Sequence, residues 1–405
     1  MEILDLVRRS GAIEYMLLPH LALNTTTRCQ QRCVYCFEGD RAGKTDQSPR
    51  ESMRLIEAAA AEVPAVVFMG AEPTLNPHLP SLIARSSELG MATILSTNGL
   101  RLADRDFLLS LLDAGLTSIE MSFPYPDASV YQAITGSPRR GFDKLLQALD
   151  NIEALNAVGR VDLRVNFNVV VSRYNIEGLP RILATLEERL PHVSALVTLK
   201  WIERGGLPLD VYLETCHVDA GTLRARFVRL LETWRFPFGV IFRQFPLCCI
   251  PGYECLSANI LYYAHDTFVR CNFDDQAAMN DMHPVKPVAP ELQTSCGVCG
   301  LAPICFDREI LSVDDPSPGN RPIPSRRAPE EVLEPLGLSP ETVSALLVRP
   351  PPEDASVRPP PPPPAQEVEE HRAGDQPPEG DVLLETPDGR TAWCRLLPTG
   401  GTGEP

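Results

Sequence analysis

No apolar run in this 405-residue chain approaches the ~20 residues that a membrane-spanning helix needs. The start, "MEILDLVRRSGAIEYMLL", places acids before its basic pair and has no clean apolar h-region, so it does not read as a secretion signal. Both absences lead to the expectation of a cytoplasmic protein with no membrane partner. Basic residues are in deficit: 37 Lys and Arg stand against 53 Asp and Glu, for a formal net charge of -16. That balance argues against a nucleic-acid polyanion as partner. No internal repeat is visible.

Cysteine, by contrast, is plentiful at 12. In a reducing compartment such thiols are expected as metal ligands or catalytic groups rather than disulfides. Proline is plentiful too, and unevenly placed. Of its 40 prolines, 21 fall after residue 313, with the run Pro359 to Pro364 among them. Acids outnumber bases 17 to 8 over the same stretch. Such a segment buries too little apolar surface to offset its ordering entropy, so 313–405 is expected to be a mostly disordered tail. Two pieces within it are expected to order: "PETVSALLV" as a short helix and "DVLLETPDGRTAWCRLL" as a hairpin around Asp388-Gly389.

The first half alternates. Strands are expected at Met16 to Asn24, Ala65 to Met69, Met91 to Ser96, Thr117 to Ser122, Val161 to Val171 and Ser194 to Trp201. Helical periods fall between them, at Ser52 to Ala61, Leu79 to Leu89, Asp106 to Ala114, Phe142 to Leu155 and Ile176 to Leu190. Six βα units predict an α/β fold: a parallel sheet closing into a partial (β/α)6 TIM-like barrel over 1–215. A small cysteine-rich extension over 216–312 follows. Sites in such folds gather at the carboxyl ends of strands.

"CQQRCVYC" stands at that edge, after the first strand. It places Cys29, Cys33 and Cys36 at C-x3-C-x2-C spacing. A [4Fe–4S] cube has four irons and usually four thiolates, so three cysteines fill three irons and leave one open. Structural zinc normally takes four protein ligands, and no nearby His supplies a fourth. Zinc, and three packed or free thiols, remain the competing readings.

The octapeptide resembles the cluster signature of the radical S-adenosylmethionine enzymes, including the aromatic residue before the third Cys. The resemblance implies that Cys29, Cys33 and Cys36 bind a [4Fe–4S] cluster whose fourth iron chelates S-adenosylmethionine. It implies reductive cleavage to a 5′-deoxyadenosyl radical that abstracts a hydrogen. "GAEPTL" after the second strand is similar to the family's G-G-E-P motif, with Ala71 in place of the second Gly. Gly70, Ala71, Glu72 and Pro73 are then expected to hold the methionine amino group. "STNGL" after the third strand brings Ser96 and Asn98, where the family places contacts to the carboxylate or ribose. Ser122 ends the fourth strand as a candidate ribose contact. On the fifth, Asn168 faces the cofactor if Val165, Phe167 and Val169 face the helices. The plainer readings are a Gly-Pro loop, an Asn-Gly turn and structural polar residues.

A second cysteine field comprises Cys248, Cys249, Cys255, Cys271, Cys296, Cys299 and Cys305. "NILYYAHDTFVRC" within it reads as a hairpin turning at His265-Asp266. A zinc ribbon and plain packing are alternatives. The field resembles the SPASM or twitch extension, which carries auxiliary Fe–S clusters. Glu309 stands where the full extension has another Cys, which implies one auxiliary cluster. Cys296, Cys299 and Cys305 are expected ligands, with Cys248, Cys249 or Cys271 as the fourth.

The resemblance implies an enzyme that modifies a ribosomally made peptide or protein and is reduced by a partner such as flavodoxin or ferredoxin. A small metabolite or nucleoside is the alternative substrate. A non-catalytic zinc or Fe–S scaffold is the alternative from a different class. No general base is assigned. Glu120, Lys200 and Glu203 reach the barrel as charges, Tyr125 and Tyr131 read as packing, and His217 and His265 as surface or turn residues.

Overall fold

The computed structural model describes residues 3–36, 45–202, 209–264, 269–271, 296–305, 323–337, 381–385 and 391–395. Two helices, α1 (Ile3–Arg9) and α2 (Ala12–Leu17), precede β1 (His20–Asn24). Then come α3 (Pro49–Ala59), β2 (Ala65–Met69), α4 (Leu79–Glu88), β3 (Ala92–Thr97), α5 (Arg105–Asp113) and β4 (Ser118–Ser122). The series continues with α6 (Ala128–Thr135), α7 (Arg140–Ala157), β5 (Arg164–Val171), α8 (Leu179–Arg189), β6 (Ala195–Trp201), α9 (Leu209–Thr215), α10 (Ala220–Glu232) and β7 (Gly239–Arg243).

These strands lie in the order β7-β6-β5-β4-β3-β2-β1, every pair parallel. The chain is an α/β protein with a partial barrel, as its alternation predicts. All six expected strands are present. The sheet runs one strand past Trp201, because β7 pairs with β6 from Leu196↔Gly239 to Lys200↔Arg243.

Two faces follow from the strand period of two. Leu23, Phe68, Leu95, Met121, Phe167 and Leu199 point to the helices, and each is buried completely. A fully buried side chain of this kind contributes roughly 1.5–3 kcal/mol. The opposite face of β3 to β6 is polar, carrying Ser96, Glu120, Ser122, Asn166, Asn168, Thr198 and Lys200. Near the amino ends of the strands it turns apolar, where Ala65, Val67 and Ile94 pack with Tyr15 and Leu18. There α2 covers the lower end, with Arg164 ion-paired to Glu14 at 3.2 Å and its guanidinium over Tyr15. Gly239 is where α1 meets β7. A Cβ there would stand 2.5 Å from the Val7 nitrogen, so only glycine lets helix and strand approach this closely.

Four expectations change. The stretch expected as a strand from Met16 begins as the end of α2, and pairing starts only at His20. The expected hairpin at 259–271 is instead α11 (Ala258–Ala264) followed by β8 (Val269–Cys271). β8 pairs parallel with β1, so its partner is distant in sequence, and a hairpin reading of neighbouring apolar runs could not find it. His217 is buried, 7% exposed, rather than a surface residue. The expected tail contains one further ordered stretch. Residues 323–337 include α12 (Pro329–Leu333), whose Val332 and Leu333 pack with Leu247, Ile260, Leu301 and Ile304 in a small second core. Proline at the first helical position needs no amide donor, so it starts this helix rather than preventing it.

By its internal contacts the chain divides into residues 1–353 and 354–405. In the second unit β9 (Asp381–Glu385) and β10 (Thr391–Arg395) form the expected antiparallel pair, with Trp393 opposite Leu383. The short helix expected at "PETVSALLV", together with Glu203 and His265, lies outside the described residues.

Candidate functional site

The chain leaves β1 at Asn24, whose side-chain oxygen accepts from the Thr26 amide at 3.2 Å. The loop carrying Cys29, Cys33 and Cys36 is pinned at both ends. Arg28 forms two hydrogen bonds with Asp46, at 2.9 and 2.6 Å, and donates to the Leu75 carbonyl at 2.6 Å. The Arg32 and Val34 amides donate to Thr135 and Ile134 at the end of α6. Asp127 caps the other end of α6, accepting from the Ser129 and Val130 amides, and Gly136 stops it in the left-handed region. Buried Gln31 donates to the Tyr131 hydroxyl at 3.1 Å. Tyr125 and Tyr131 are buried and stacked edge-on, as packing predicts.

The three motif loops are joined side by side. Glu72 is buried and its carboxylate accepts four hydrogen bonds. Oε1 takes the Thr74 amide and the hydroxyls of Thr74 and Thr97, and Oε2 takes the Asn98 amide at 2.7 Å. Burial pushes its carboxyl up from the ordinary range, against the pull of these donors. Glu72 therefore spends its acceptors on binding "GAEPTL" to "STNGL". The Asn98 side chain reaches on to Cys29, its amide 3.7 Å from Sγ, while its oxygen accepts from Gln30 and Leu100.

Gly70 has φ 123°, and a Cβ there would meet Asn24 Oδ1 at 2.4 Å and the Thr26 carbonyl at 2.5 Å. Ala71 has no positive φ, so its methyl is accommodated, and its amide donates to the Thr26 carbonyl at 2.9 Å. Pro73 is buried and opens a one-turn 3-10 helix over Pro73–Leu75.

Val165, Phe167 and Val169 are buried in the helix-side core, which turns Asn168 to the barrel lumen. Ser122 is its register partner. Ser96 lies one rung lower, in line with Glu120 and Asn166. Among the described residues, Asn168 Oδ1 and Asn166 Nδ2 are buried without hydrogen-bond partners. A polar ligand in the lumen would satisfy such atoms. Asn166, bonded to Thr198 at 2.8 Å, was not singled out from sequence, although strand alternation from Asn168 points to it.

The thiols suit a polynuclear centre. Burial raises the Cys29 thiol, with Glu72 and Cys36 adding to it, and pushes Cys33 up to about 12, with Cys36 and Cys29 adding to it. Thiolates this close need positive metal to persist. Among the described residues, no three His, Cys, Asp or Glu side chains converge on a single ion. A cube takes one thiolate per iron, so its ligands stand further apart than those of one zinc.

The second field encloses a cavity of about 230 Å³. Cys248, Cys296, Cys299 and Cys305 line it, together with Arg224 and Glu254. Cys249 does not line it and is buried in the main core. Cys255 packs half-buried beside both cores. Cys271 closes β8, and its side chain lies outside the description. A hydrogen bond from Cys249, with the Ile323 amide and both the charge and a hydrogen bond of the Arg224 guanidinium, moves the Cys248 thiol down against the effect of burial. The Ser325 amide lies 3.3 Å from Cys299 Sγ, and Arg327 pairs with buried Glu254 at 2.5 Å. The segment 323–327 is thus part of this site.

The radical SAM superfamily model matches residues 23–186. GTP 3′,8-cyclase of Tolumonas auensis is 30% identical over 271 residues, 65% of this chain and 76% of that protein. PqqA peptide cyclase of Granulibacter bethesdensis is 34% identical over 167 residues, 40% of this chain and 42% of that protein. The chain spans less than half the length of several curated relatives that it matches. Among solved structures, Streptococcus suis SuiB bound to S-adenosylmethionine aligns with a TM-score of 0.50 at 14% identity, over 78% of this chain and 79% of that one, a likeness of fold. On the superfamily model and the relative matched over 76% of its length, the chain belongs to the radical S-adenosylmethionine superfamily of enzymes.

Proposed function

We propose that this enzyme modifies a residue of a ribosomally made peptide or protein through a radical derived from S-adenosylmethionine. When bound, a [4Fe–4S] cluster and S-adenosylmethionine supply an electron and a 5′-deoxyadenosyl group able to abstract a substrate hydrogen. Cys29, Cys33 and Cys36 hold the cluster. Gly70, Ala71 and Pro73 shape the strand-end shelf for the methionine end, with Glu72 keeping that shelf against Asn98. Ser96, Ser122 and Asn168 present polar atoms to the cofactor from the lumen. The observation that carries this reading is the continuous link from Glu72 through Asn98 to Cys29, which ties three strand ends into one site.

Cys248, Cys296, Cys299 and Cys305 hold one auxiliary cluster. Four thiolates would ligate every iron of a [4Fe–4S] cluster held there, and such a cluster would supply electron relay rather than substrate chelation. Flavodoxin or ferredoxin is the class of reductant. The peptide reading draws on the peptide cyclases among the relatives. A nucleotide substrate is the second reading, because the match to a GTP 3′,8-cyclase extends over 65% of this chain.

Anaerobic reconstitution followed by dithionite tests the core of the proposal. 5′-Deoxyadenosine should form, and changing Cys29, Cys33 and Cys36 together to Ala should abolish it. Formation in the triple variant would sink the assignment. Added GTP consumed in step with 5′-deoxyadenosine would replace the peptide reading with the nucleotide one.

A further inference from the structure

The guanidinium of Arg224, on α10, has no role in the barrel site. Its Nε donates to the Cys248 carbonyl at 2.6 Å. The side chain lines the four-cysteine cavity. Its Nη2 is buried and, among the described residues, has no hydrogen-bond partner. A buried guanidinium donor without an acceptor is costly, so such an atom calls for an explanation. The carboxylate that lines the same cavity, Glu254, is already engaged by Arg327 at 2.5 Å.

A cation with an unused N–H beside four sulfur ligands has one natural acceptor, the sulfur of what those ligands hold. We propose that Arg224 tunes the auxiliary cluster. Its Nη2 donates to a cluster sulfide or thiolate sulfur, and its charge favours the reduced state. The inference rests on the reading that Cys248, Cys296, Cys299 and Cys305 hold a [4Fe–4S] cluster. One-electron reduction adds negative charge to the cluster, and a cation held in a poorly solvated pocket stabilises that state. Hydrogen bonds to cluster sulfur act in the same direction. Arg224 therefore raises the potential and makes the cluster a better electron acceptor. Its bond to the Cys248 carbonyl fixes the distance at which it acts.

The test uses the full chain with Cys29, Cys33 and Cys36 changed to Ala, so that only the auxiliary cluster remains. Iron, sulfide and the spectrum of the reduced cluster establish loading, and a dithionite titration reads the potential. At a fixed poise, Arg224→Met should raise the oxidised-to-reduced ratio about tenfold, ~59 mV more negative for one electron. Arg224→Lys keeps the charge without the planar fork and should lie between that variant and its parent. A purely structural role would change loading or stability and leave the potential where it is. A loaded Arg224→Met cluster at the parent potential overturns the proposal and leaves the cluster reading standing. A parent without iron and sulfide overturns both. If Arg224→Met does not load, Arg224→Lys decides: a shift to more negative potential supports the proposal, and no shift overturns it.

Discussion

The side-chain amide of Asn98, at the end of β3, lies 3.7 Å from the sulfur of Cys29, beyond the end of β1. The same asparagine gives its backbone amide to Glu72 at 2.7 Å. It therefore carries the geometry of the second and third motifs to the first thiol. Groups that orient a metal ligand typically contribute 10–100-fold to affinity or activity, on the order of what Asn98→Ala should cost in S-adenosylmethionine cleavage. Iron per chain and 5′-deoxyadenosine formed per minute check it. Unchanged activity at full iron loading would show that the contact plays no part.

Glu72→Gln tests the link itself. The amide replaces one acceptor oxygen with a donor that faces other donors, whichever way it turns. A buried mismatch of this kind costs about 1–3 kcal/mol. Urea unfolding of the protein at neutral pH should show that loss. A stability equal to wild type would mean that the loops are held together by other contacts.

Asp127 predicts a pH dependence. Hydrogen bonds from the Ser129 hydroxyl and the Val130 and Ser129 amides hold its carboxyl below the usual range. A depressed folded-state value means that the stabilisation is present above the unfolded value, ~3.9, and is lost as pH falls through the folded one. Asp127→Ala should therefore cost roughly 0.5–2 kcal/mol at pH 7 and progressively less below about pH 4. Because α6 holds the Arg32 and Val34 amides, the variant should also lose cluster iron faster to a chelator. Unfolding midpoints across pH, with iron release followed in parallel, measure both.

The auxiliary ligand set separates neighbouring cysteines. With Cys29, Cys33 and Cys36 changed to Ala, roughly four irons per chain should remain. Adding Cys248→Ser should remove or alter that cluster. Adding Cys249→Ser or Cys255→Ser should retain it. Iron loss with Cys249→Ser at full retention with Cys248→Ser would reverse the assignment.

Truncation separates the two stretches of the proline-rich segment. Ending the chain after Glu353 should preserve both sites, because 1–353 is one compact unit. Ending it after residue 322 removes Ser325, Arg327, Val332 and Leu333, and with them the wall and the small core of the auxiliary site. That shorter protein should lose auxiliary iron while barrel iron remains. Equal iron in both truncations would mean that 323–337 only decorates the site.

Much of the barrel was legible because its signals are local. Each strand is a short apolar run and each helix between strands has its own period, so Ala65–Met69 matched its expected bounds and most others came within a few residues. The thiol spacing, "GAEPTL" and "STNGL" are local as well, and parallel topology brings strand ends to one edge whatever the details. Even Asn168 could be oriented from Val165, Phe167 and Val169, since alternation along a strand is a property of the backbone.

What tertiary structure alone decided depends on partners distant in the chain. Whether 259–271 is a hairpin or a helix and a strand was settled by β1, more than two hundred residues earlier. Cys248 and Cys249 are neighbours in sequence and hydrogen-bond through their sulfurs, yet only Cys248 lines the cavity while Cys249 is buried in the main core. Arg224 has no motif at all, and only the approach of α10 to Cys248 gives it an environment. Segment 323–337 was read as tail from its prolines. Its few apolar residues bury because Leu247, Ile260, Leu301 and Ile304 offer them a surface. Composition measures what a segment can bury by itself, and here the other half of the core comes from elsewhere in the chain.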